Sequence, residues 1–310
     1  MMDTSHLQQE IDVFVSRVLS STEVAAQIEL HFADREGAAA LLAIYANEAR
    51  VGLALIAPLL RPGMRVLEVG CGAGVLSRFL IERGVDVTGI EPCGSGFDFI
   101  TAASDAILKM SPPLENVRWL RIGAEDLDPR KHGLFDLIFS TNVLEHIPNL
   151  ESAFKGMASV LAPGGQMIHA CPNYFVPYEP HFGIPLIPFW PRATRALFPR
   201  TVAVYPGIWD DLNFVTARRI RRLTKLHNLD VRFDQGVIGQ SLRRLDSDSE
   251  FLQRQGRIVR LVKWLVTRTG IMRFIDRLPG EFVTPMVMRM MPVEKARLAN
   301  RQSPMLGDVS

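Results

Sequence analysis

Three glycines stand two residues apart in Glu68-Val69-Gly70-Cys71-Gly72-Ala73-Gly74, directly after the strand-like run Arg65-Val66-Leu67. Glycines at such spacing let a chain turn sharply and bring its backbone against a ligand with no Cβ in the way. Glu91 follows 21 residues after Gly70, at the end of a second such run. A carboxylate in that place can accept hydrogen bonds from both hydroxyls of a ribose. The fingerprint of a nicotinamide or flavin dinucleotide, G-x-G-x-x-G, needs a glycine at 75, where Val75 stands; here the third glycine is Gly74. Glu68 is an awkward neighbour for a pyrophosphate, yet it suits a cationic amino group.

Further along, His146 in Leu144-Glu145-His146 is a side chain able to take a proton at physiological pH. A structural contact in the loop after a strand is the competing role for it. A second group lies in a proline- and aromatic-rich stretch, Pro172 to Phe214, where Tyr178, Glu179, His181, Trp209 and Asp210 are acceptor-site candidates. His181, Glu179 and Asp210 have the chemistry to orient or deprotonate a hydroxyl, and Trp209 to stack on a ring. The alternative is that they fix the loop. Long segments of this kind inside a compact domain are usually lids or binding loops.

These groups need a scaffold, and the chain supplies one in short alternating elements. Strands are expected at Arg65–Val69, Asp86–Ile90, Val117–Ile122, Phe135–Ser140 and Gln166–Ala170. Helices are expected between them at Val75–Arg83, Phe97–Met110 and Leu150–Leu161. Alternation of this kind gives right-handed βαβ units and a mostly parallel, doubly wound α/β sheet. The strands read as continuous apolar runs, as a sheet covered on both faces requires. Residues 1–60 read as a helical cap, with Ile11, Phe14, Val15 and Val18 on one face. The main domain spans 61–292, with an acceptor-side insertion at 173–215, and 293–310 is a tail. Thr216–His227 reads as a helix, Val231–Ile238 as a sixth strand and Phe282–Met291 as a seventh.

Taken together, the motifs resemble those of class I S-adenosylmethionine-dependent methyltransferases. The glycine loop is similar to their first motif, and Glu91-Pro92 to their ribose-binding acid. Gly123-Ala124-Glu125-Asp126-Leu127 resembles the segment that flanks the adenine. Phe135 to Pro148 resembles their fourth motif, and Leu161 to Gly165 the turn before strand five. The resemblance covers about 100 residues, roughly a third of the chain. It implies S-adenosyl-L-methionine as cofactor, held by Glu68, Gly70, Cys71, Gly72, Gly74, Glu91, Pro92, Ala124, Glu125 and Asn142. Leu144-Glu145-His146 is similar to quinone-precursor O-methyltransferases, in which an acid three residues before the Glu-His pair helps bind a divalent cation. Asn142 occupies that place here, so no metal site is expected. The resemblance implies methyl transfer to an acceptor, with a hydroxyl oxygen of a small or lipid-linked molecule as the leading choice and carbon or nitrogen as the alternative. A non-catalytic binding module on the same fold is the reading from another class.

The bulk properties narrow the partners. A net charge of +2 gives no general attraction to nucleic acid. The slot after strand four, Thr141-Asn142-Val143-Leu144, lacks the D/N-P-P-Y/F pattern of enzymes that methylate bases. Three cysteines without metal-ligand spacing indicate reduced packing residues, and no signal peptide is legible at the first residues. A cytoplasmic protein is expected. The stretch 251–278 carries Arg254, Arg257, Arg260 and Lys263 interleaved with apolar residues and Trp264. It reads as a basic amphipathic helix suited either to the surface of an anionic membrane, as a peripheral contact, or to docking on the sheet.

Overall fold

The computed structural model describes residues 4–30, 35–92, 98–110, 114, 117–239, 242, 264–269 and 272–294. The chain divides into two compact units: 1–141 with 151–168, and 142–150 with 169–310.

In the first unit, β1 (Arg65–Val69) pairs in parallel with β2 (Asp86–Ile90) on one side and β4 (Phe135–Thr141) on the other, and β2 pairs in parallel with β3 (Arg118–Leu120). Four consecutive residues of β1 and of β2 are buried, so the apolar runs are covered on both faces. The register sets Glu68 of β1 beside Gly89 of β2, and Gly89 beside Trp119 of β3. The helices of this unit are α1 (Thr4–Leu19), α2 (Thr22–Glu29), α3 (Arg35–Ile56), α4 (Val75–Ile81), α5 (Asp98–Lys109), α6 (Pro129–His132) and α7 (Leu150–Ser159).

The N-terminal stretch is helical as its periodicity indicates. In α1 the buried face is Leu7, Ile11, Phe14, Val15 and Val18. α2 begins where Ser21 accepts a hydrogen bond from the Val24 amide at 3.3 Å. The segment Glu36–Leu59, made of α3 and the 3₁₀ turn Ala57–Leu59 that follows it, is long and apolar enough to cross a membrane by composition. In the fold it packs against α1 and α4. Arg78 of α4 is fully buried, and its guanidinium donates to the carbonyls of Ile107, Leu108 and Met110 at the end of α5. A cation there satisfies carbonyls that the helix leaves open and complements the negative end of its dipole.

β5 (Leu161–Cys171) runs from the first unit into the second. It is longer than the sequence indicates because Pro163-Gly164-Gly165 continues as strand rather than turn. The full strand order is β3-β2-β1-β4-β5-β9-β8, a mostly parallel seven-stranded sheet. Its last pair is antiparallel: β8 (Leu229–Phe233) with β9 (Met286–Pro292). β8 ends earlier and β9 starts later than the apolar runs indicate.

In the second unit the proline-rich insertion is organised rather than irregular. β6 (Tyr178–Glu179) and β7 (Ile184–Pro185) form a small antiparallel ladder. Three short helices follow: α8 (Pro191–Leu197), α9 (Pro199–Val202) and α10 (Pro206–Asp211). Each opens on proline, whose fixed φ and missing N–H cost nothing at a helix start. The prolines therefore punctuate helices. α11 (Ala217–Leu226) is capped by Thr216, which accepts from the Arg219 amide at 3.3 Å. Of the basic stretch at 251–278, residues 251–263 lie outside the described residues. Residues 264–269 are helical, with Trp264 and Leu265 exposed and Val266 buried.

Candidate functional site

The glycine loop leaves β1 and enters α4 with Gly70, Gly72 and Gly74 all in the left-handed region, at φ of 71°, 52° and 73°. Any other residue there would be strained by about 1–2 kcal/mol. The Gly70 and Cys71 amides donate to the Ile90 carbonyl at 2.9 and 3.1 Å, which ties the loop to the end of β2. Glu91, the next residue, accepts from the Gly72 amide at 2.8 Å. Its carboxyl pKa is raised by burial, with the Gly72 hydrogen bond acting against the rise. At Gly74 a Cβ would lie 1.0 Å from the Trp119 ring, so the indole packs directly on the loop backbone.

Two adjoining depressions surround this loop. The first is lined by Gly72, Glu91, Pro92, Ile100, Thr101, Ser104, Trp119 and Arg121. Its acid, apolar wall and aromatic ring fit a ribose and a base. The second holds Glu68, Gly70, Cys71, Gly72, Gly74 and Thr141 against Tyr45, Glu48, Ala49 and Gly52 of α3. Glu68 is buried and accepts from the Ser77 hydroxyl at 2.5 Å. Burial pushes its carboxyl pKa up to about 8, and the charges of Glu91 and Glu48 add to the rise. The Cys71 thiol is held far above its ordinary range by burial, so it is inert packing.

The sequence-derived residues Glu68, Gly70, Cys71, Gly72, Gly74, Glu91 and Pro92 thus line one continuous surface. Ala124 is buried and Glu125 exposed on a 3₁₀ turn, Ala124–Asp126. There Gly156 of α7 lets the helix approach the Ala124 carbonyl, which a Cβ would meet at 2.0 Å. Asn142 has φ of 54° and opens the second unit, its amide donating to the Ala170 carbonyl at 2.8 Å. Sequence reasoning missed Tyr45, Glu48 and Trp119. For the first two a signal exists: Tyr45, Glu48, Ala49 and Gly52 fall at i, i+3, i+4 and i+7, one face of an otherwise apolar helix. Trp119 carries no such signal, because its approach to Gly74 depends on β3 lying beside β2 in the sheet. Replacing Glu91 by alanine is expected to weaken cofactor binding by about 1.5–3 kcal/mol, the worth of hydrogen bonds to a charged group. Unchanged affinity in calorimetry would remove Glu91 from the site.

The second unit carries a separate cluster. Glu145 and His146 lie on the 3₁₀ turn Leu144–His146. Asn213, at the end of the insertion, holds that turn. Its amide donates to the Glu145 carbonyl at 2.8 Å, and its side-chain Nδ2 donates to the carbonyls of Leu144 and Ile147 at 2.6 and 2.9 Å. His181 stands 5.2 Å from His146, ring centre to ring centre and edge to face. Glu179 is fully buried, with Oε1 2.7 Å from His181 Nδ1. The Phe182 amide donates to Oε2 at 2.7 Å, and the Tyr174 hydroxyl to Oε1 at 3.3 Å. A carboxylate so fixed sets the tautomer: Nδ1 carries the proton and Nε2 is the basic nitrogen. His146 is lowered to about 4, by burial first and by His181 second, with Glu179 opposing. It is therefore neutral at physiological pH.

The remaining acceptor-side candidates are placed around this cluster in different ways. Tyr178 is half-buried, its phenol pKa raised by burial and by Glu179. Trp209 is 5% exposed and packs edge-on against Phe182 and Phe214, so its ring builds the core of the insertion. Asp210 is exposed and paired with Arg195 at 2.6 Å. Glu145, His146 and His181 offer ligand atoms that all lie within 4.8 Å of one another. Two imidazoles and a carboxylate suit a divalent ion such as zinc. Asn142, on which the expectation of no metal rests, is not part of that set.

A methyltransferase-domain family matches residues 42–232. An uncharacterized protein of Mycobacterium tuberculosis is 30% identical over 94% of this chain and 95% of its own. The ubiquinone biosynthesis O-methyltransferase of Dechloromonas aromatica is 36% identical over 34% of this chain and 43% of its own. Among solved structures, the phosphoethanolamine N-methyltransferase 2 of Haemonchus contortus, in complex with S-adenosylhomocysteine, aligns at 17% identity. That alignment covers 77% of this chain and 51% of the other, with a TM-score of 0.45. The glycine loop without the dinucleotide pattern, the acid that ends β2 and the family match agree: this chain belongs to the methyltransferase-domain family and is an S-adenosylmethionine-dependent methyltransferase.

Proposed function

We propose that the chain moves the methyl group to a hydroxyl oxygen of a small or lipid-linked acceptor. The observation that carries this is the Glu179–His181–His146 group of the second unit. In the transfer, the acceptor oxygen forms a bond to the methyl carbon as the carbon–sulfonium bond breaks, and a neutral thioether leaves. The hydroxyl proton needs an acceptor, and an oriented neutral imidazole is one. The buried Glu179 carboxylate then stabilises the imidazolium that forms. The partial likeness to a ubiquinone biosynthesis O-methyltransferase supports an oxygen acceptor.

A second reading of the same cluster is favoured by the convergence of Glu145, His146 and His181. These three would hold a divalent cation, which would supply Lewis-acid activation of the hydroxyl. Glu179 would then orient a ligand instead of stabilising a charged base. The exposed Trp264, with the Arg268 guanidinium 5.1 Å from its ring, supports an anionic membrane surface as the place where a lipid-linked acceptor is met.

The test is turnover of methyl-labelled cofactor with cell extract, followed by mass spectrometry of the product. Label on oxygen, released only by ether cleavage, is the expected result. Label on nitrogen or carbon would overturn the hydroxyl assignment while leaving the cofactor site intact.

A further inference from the structure

The second unit turns a set of large apolar side chains outward. Phe189 and Trp190 are 78% and 67% exposed, at the tip of the segment that joins β7 to α8. The Phe175 ring stands 6.1 Å from that of Phe189 and 5.9 Å from that of Phe282, centre to centre, and all three are exposed. Rings that meet one another on the surface form a contiguous apolar patch, which marks a place of contact; scattered exposed side chains do not. Phe189 reaches its outward position at φ of 62°, a region that a bulky side chain rarely adopts. The tip is held on both sides. The Ile187 amide donates to the Thr194 hydroxyl at 2.8 Å, and the Trp190 amide to the Ile187 carbonyl at 3.1 Å. Pro188 and Pro191 flank the two exposed rings and restrict the backbone further. A tip fixed in this way loses little entropy when it binds.

The charge around the patch has one sign. From Pro180 to Trp209 the chain has no acid, while Arg192, Arg195 and Arg200 are exposed; Arg195 pairs with Asp210. On the other side, Asn173 ties Phe175 to α11 and to the 3₁₀ turn Gly280–Phe282. Its Oδ1 accepts from the Phe175 and Ala217 amides at 3.2 and 3.4 Å, and its Nδ2 donates to the Glu281 carbonyl at 2.8 Å. α11 therefore begins beside the patch. It buries Ala217, Ile220, Leu223 and Thr224 and presents Arg218, Arg222 and Lys225 to solvent. Arg221 pairs with Glu281, the acid next to Phe282. Among the described residues no ion pair engages Arg192, Arg218, Arg222 or Lys225. A protein partner would need an acid opposite each of these spread-out cations, whereas an anionic bilayer offers negative charge along the whole face and an apolar interior to the rings. We propose that this face of the second unit docks on an anionic bilayer, with Phe175, Phe189, Trp190 and Phe282 entering the headgroup region and the cations of α11 and Arg192 meeting lipid phosphates. The patch follows directly on the β6–β7 hairpin that carries Glu179 and His181. The inference rests on the lipid-linked reading of the acceptor and names the surface through which that acceptor is reached.

Co-sedimentation of the full chain with vesicles tests it. Vesicles of phosphatidylcholine and phosphatidylglycerol in equal parts should carry the protein down, and vesicles of phosphatidylcholine alone should not. Salt at about 1 M should release it, as the screening length falls to about 3 Å. Phe189→Ser combined with Trp190→Ser should weaken partition into the anionic vesicles about tenfold or more, because two large apolar side chains no longer leave water. Arg218→Gln combined with Arg222→Gln should weaken it about fivefold for each charge removed. All four positions are exposed, so melting temperature and affinity for S-adenosylmethionine should match the wild type and show that the variants are folded. The proposal is overturned if anionic vesicles leave the wild type in the supernatant, or if the Phe189→Ser, Trp190→Ser protein sediments as fully as the wild type. Light scattering without lipid adds a further check. A dimer that the same pair of serines dissociates would give the patch to a second copy of the chain and overturn the bilayer. Sedimentation needs no acceptor, so the two readings fail separately. A soluble methylated product from a vesicle-bound enzyme removes the lipid-linked acceptor and keeps the docking face; a lipid product from an enzyme that ignores vesicles does the reverse.

Discussion

Alanine at position 181 is expected to lower turnover about 10²–10⁴-fold, the usual worth of a positioned acid–base group, while the affinity for S-adenosylmethionine stays nearly unchanged. The separation of effects follows from placement: His181 lies in the second unit, and the residues that line the cofactor depressions lie in the first. Glu179→Gln tests the same chemistry by a subtler route. The amide keeps the size of the side chain but loses the charge facing His181 Nδ1. A fall in kcat with KM preserved, together with a displaced pH profile, is expected. Added chelator divides the two readings of the cluster. Activity unaffected by chelator and reduced by Glu179→Gln supports the imidazole as base. Activity abolished by chelator and restored by a divalent ion supports metal held by Glu145, His146 and His181. Full turnover in His181→Ala would dismiss both.

The second large effect is on stability and its dependence on pH. Folding raises the Glu68 carboxyl from its ordinary 4.5 to about 8, because the side chain is buried among other acids. The unfolded chain gives up this proton first. Between about pH 4.5 and about pH 8 the folded state is therefore the more protonated, and stability falls as pH rises. The contribution is fully present below pH 4.5 and lost above 8. A tenfold change in a proton affinity corresponds to about 1.4 kcal/mol, so the loss is on the order of several kcal/mol before any local relaxation. Glu68→Gln, which keeps a partner for Ser77, should be flatter over this window and more stable than the wild type at its alkaline end. The measurement is thermal unfolding of the ligand-free protein at a series of pH values. Parallel curves for the two proteins would mean that Glu68 ionises freely in the fold. Saturating S-adenosylmethionine should bring the curves together, since its ammonium offsets the buried charge.

Much of the first unit is legible in the sequence because its signals are local. The strand that ends in glycines, the helix that follows and the acid 21 residues after Gly70 each depend on neighbours in the chain. The strand at Arg65–Val69 and the second at Asp86–Ile90 begin and end where the sequence indicates. The α3 face with Tyr45 and Glu48 is also written in the sequence, but nothing local says which partner a helix face will meet. The insertion reads as irregular because its prolines are frequent, whereas in the fold they start helices α8, α9 and α10. His146 and His181 each stand out by residue type, yet they meet from distant parts of the chain, and the turn that carries His146 is held by Asn213 through bonds that span more than 60 residues of sequence. Trp209 illustrates the limit of composition: an aromatic suited to a ligand is committed to packing with Phe182 and Phe214.

The path of the chain between the two units has a consequence for how the protein can be dissected. The chain passes from one unit to the other after Thr141, returns after Leu150 and leaves again after Ile168 within β5. Neither unit is a continuous segment, so no single truncation yields one without cutting the other. A fragment ending near residue 168 would carry the Glu145-His146 turn without Asn213, which arrives only later in the chain. During synthesis, that turn emerges from the ribosome well before its clamp. The first unit, complete by residue 168, can therefore take shape while most of the second unit is still to be made.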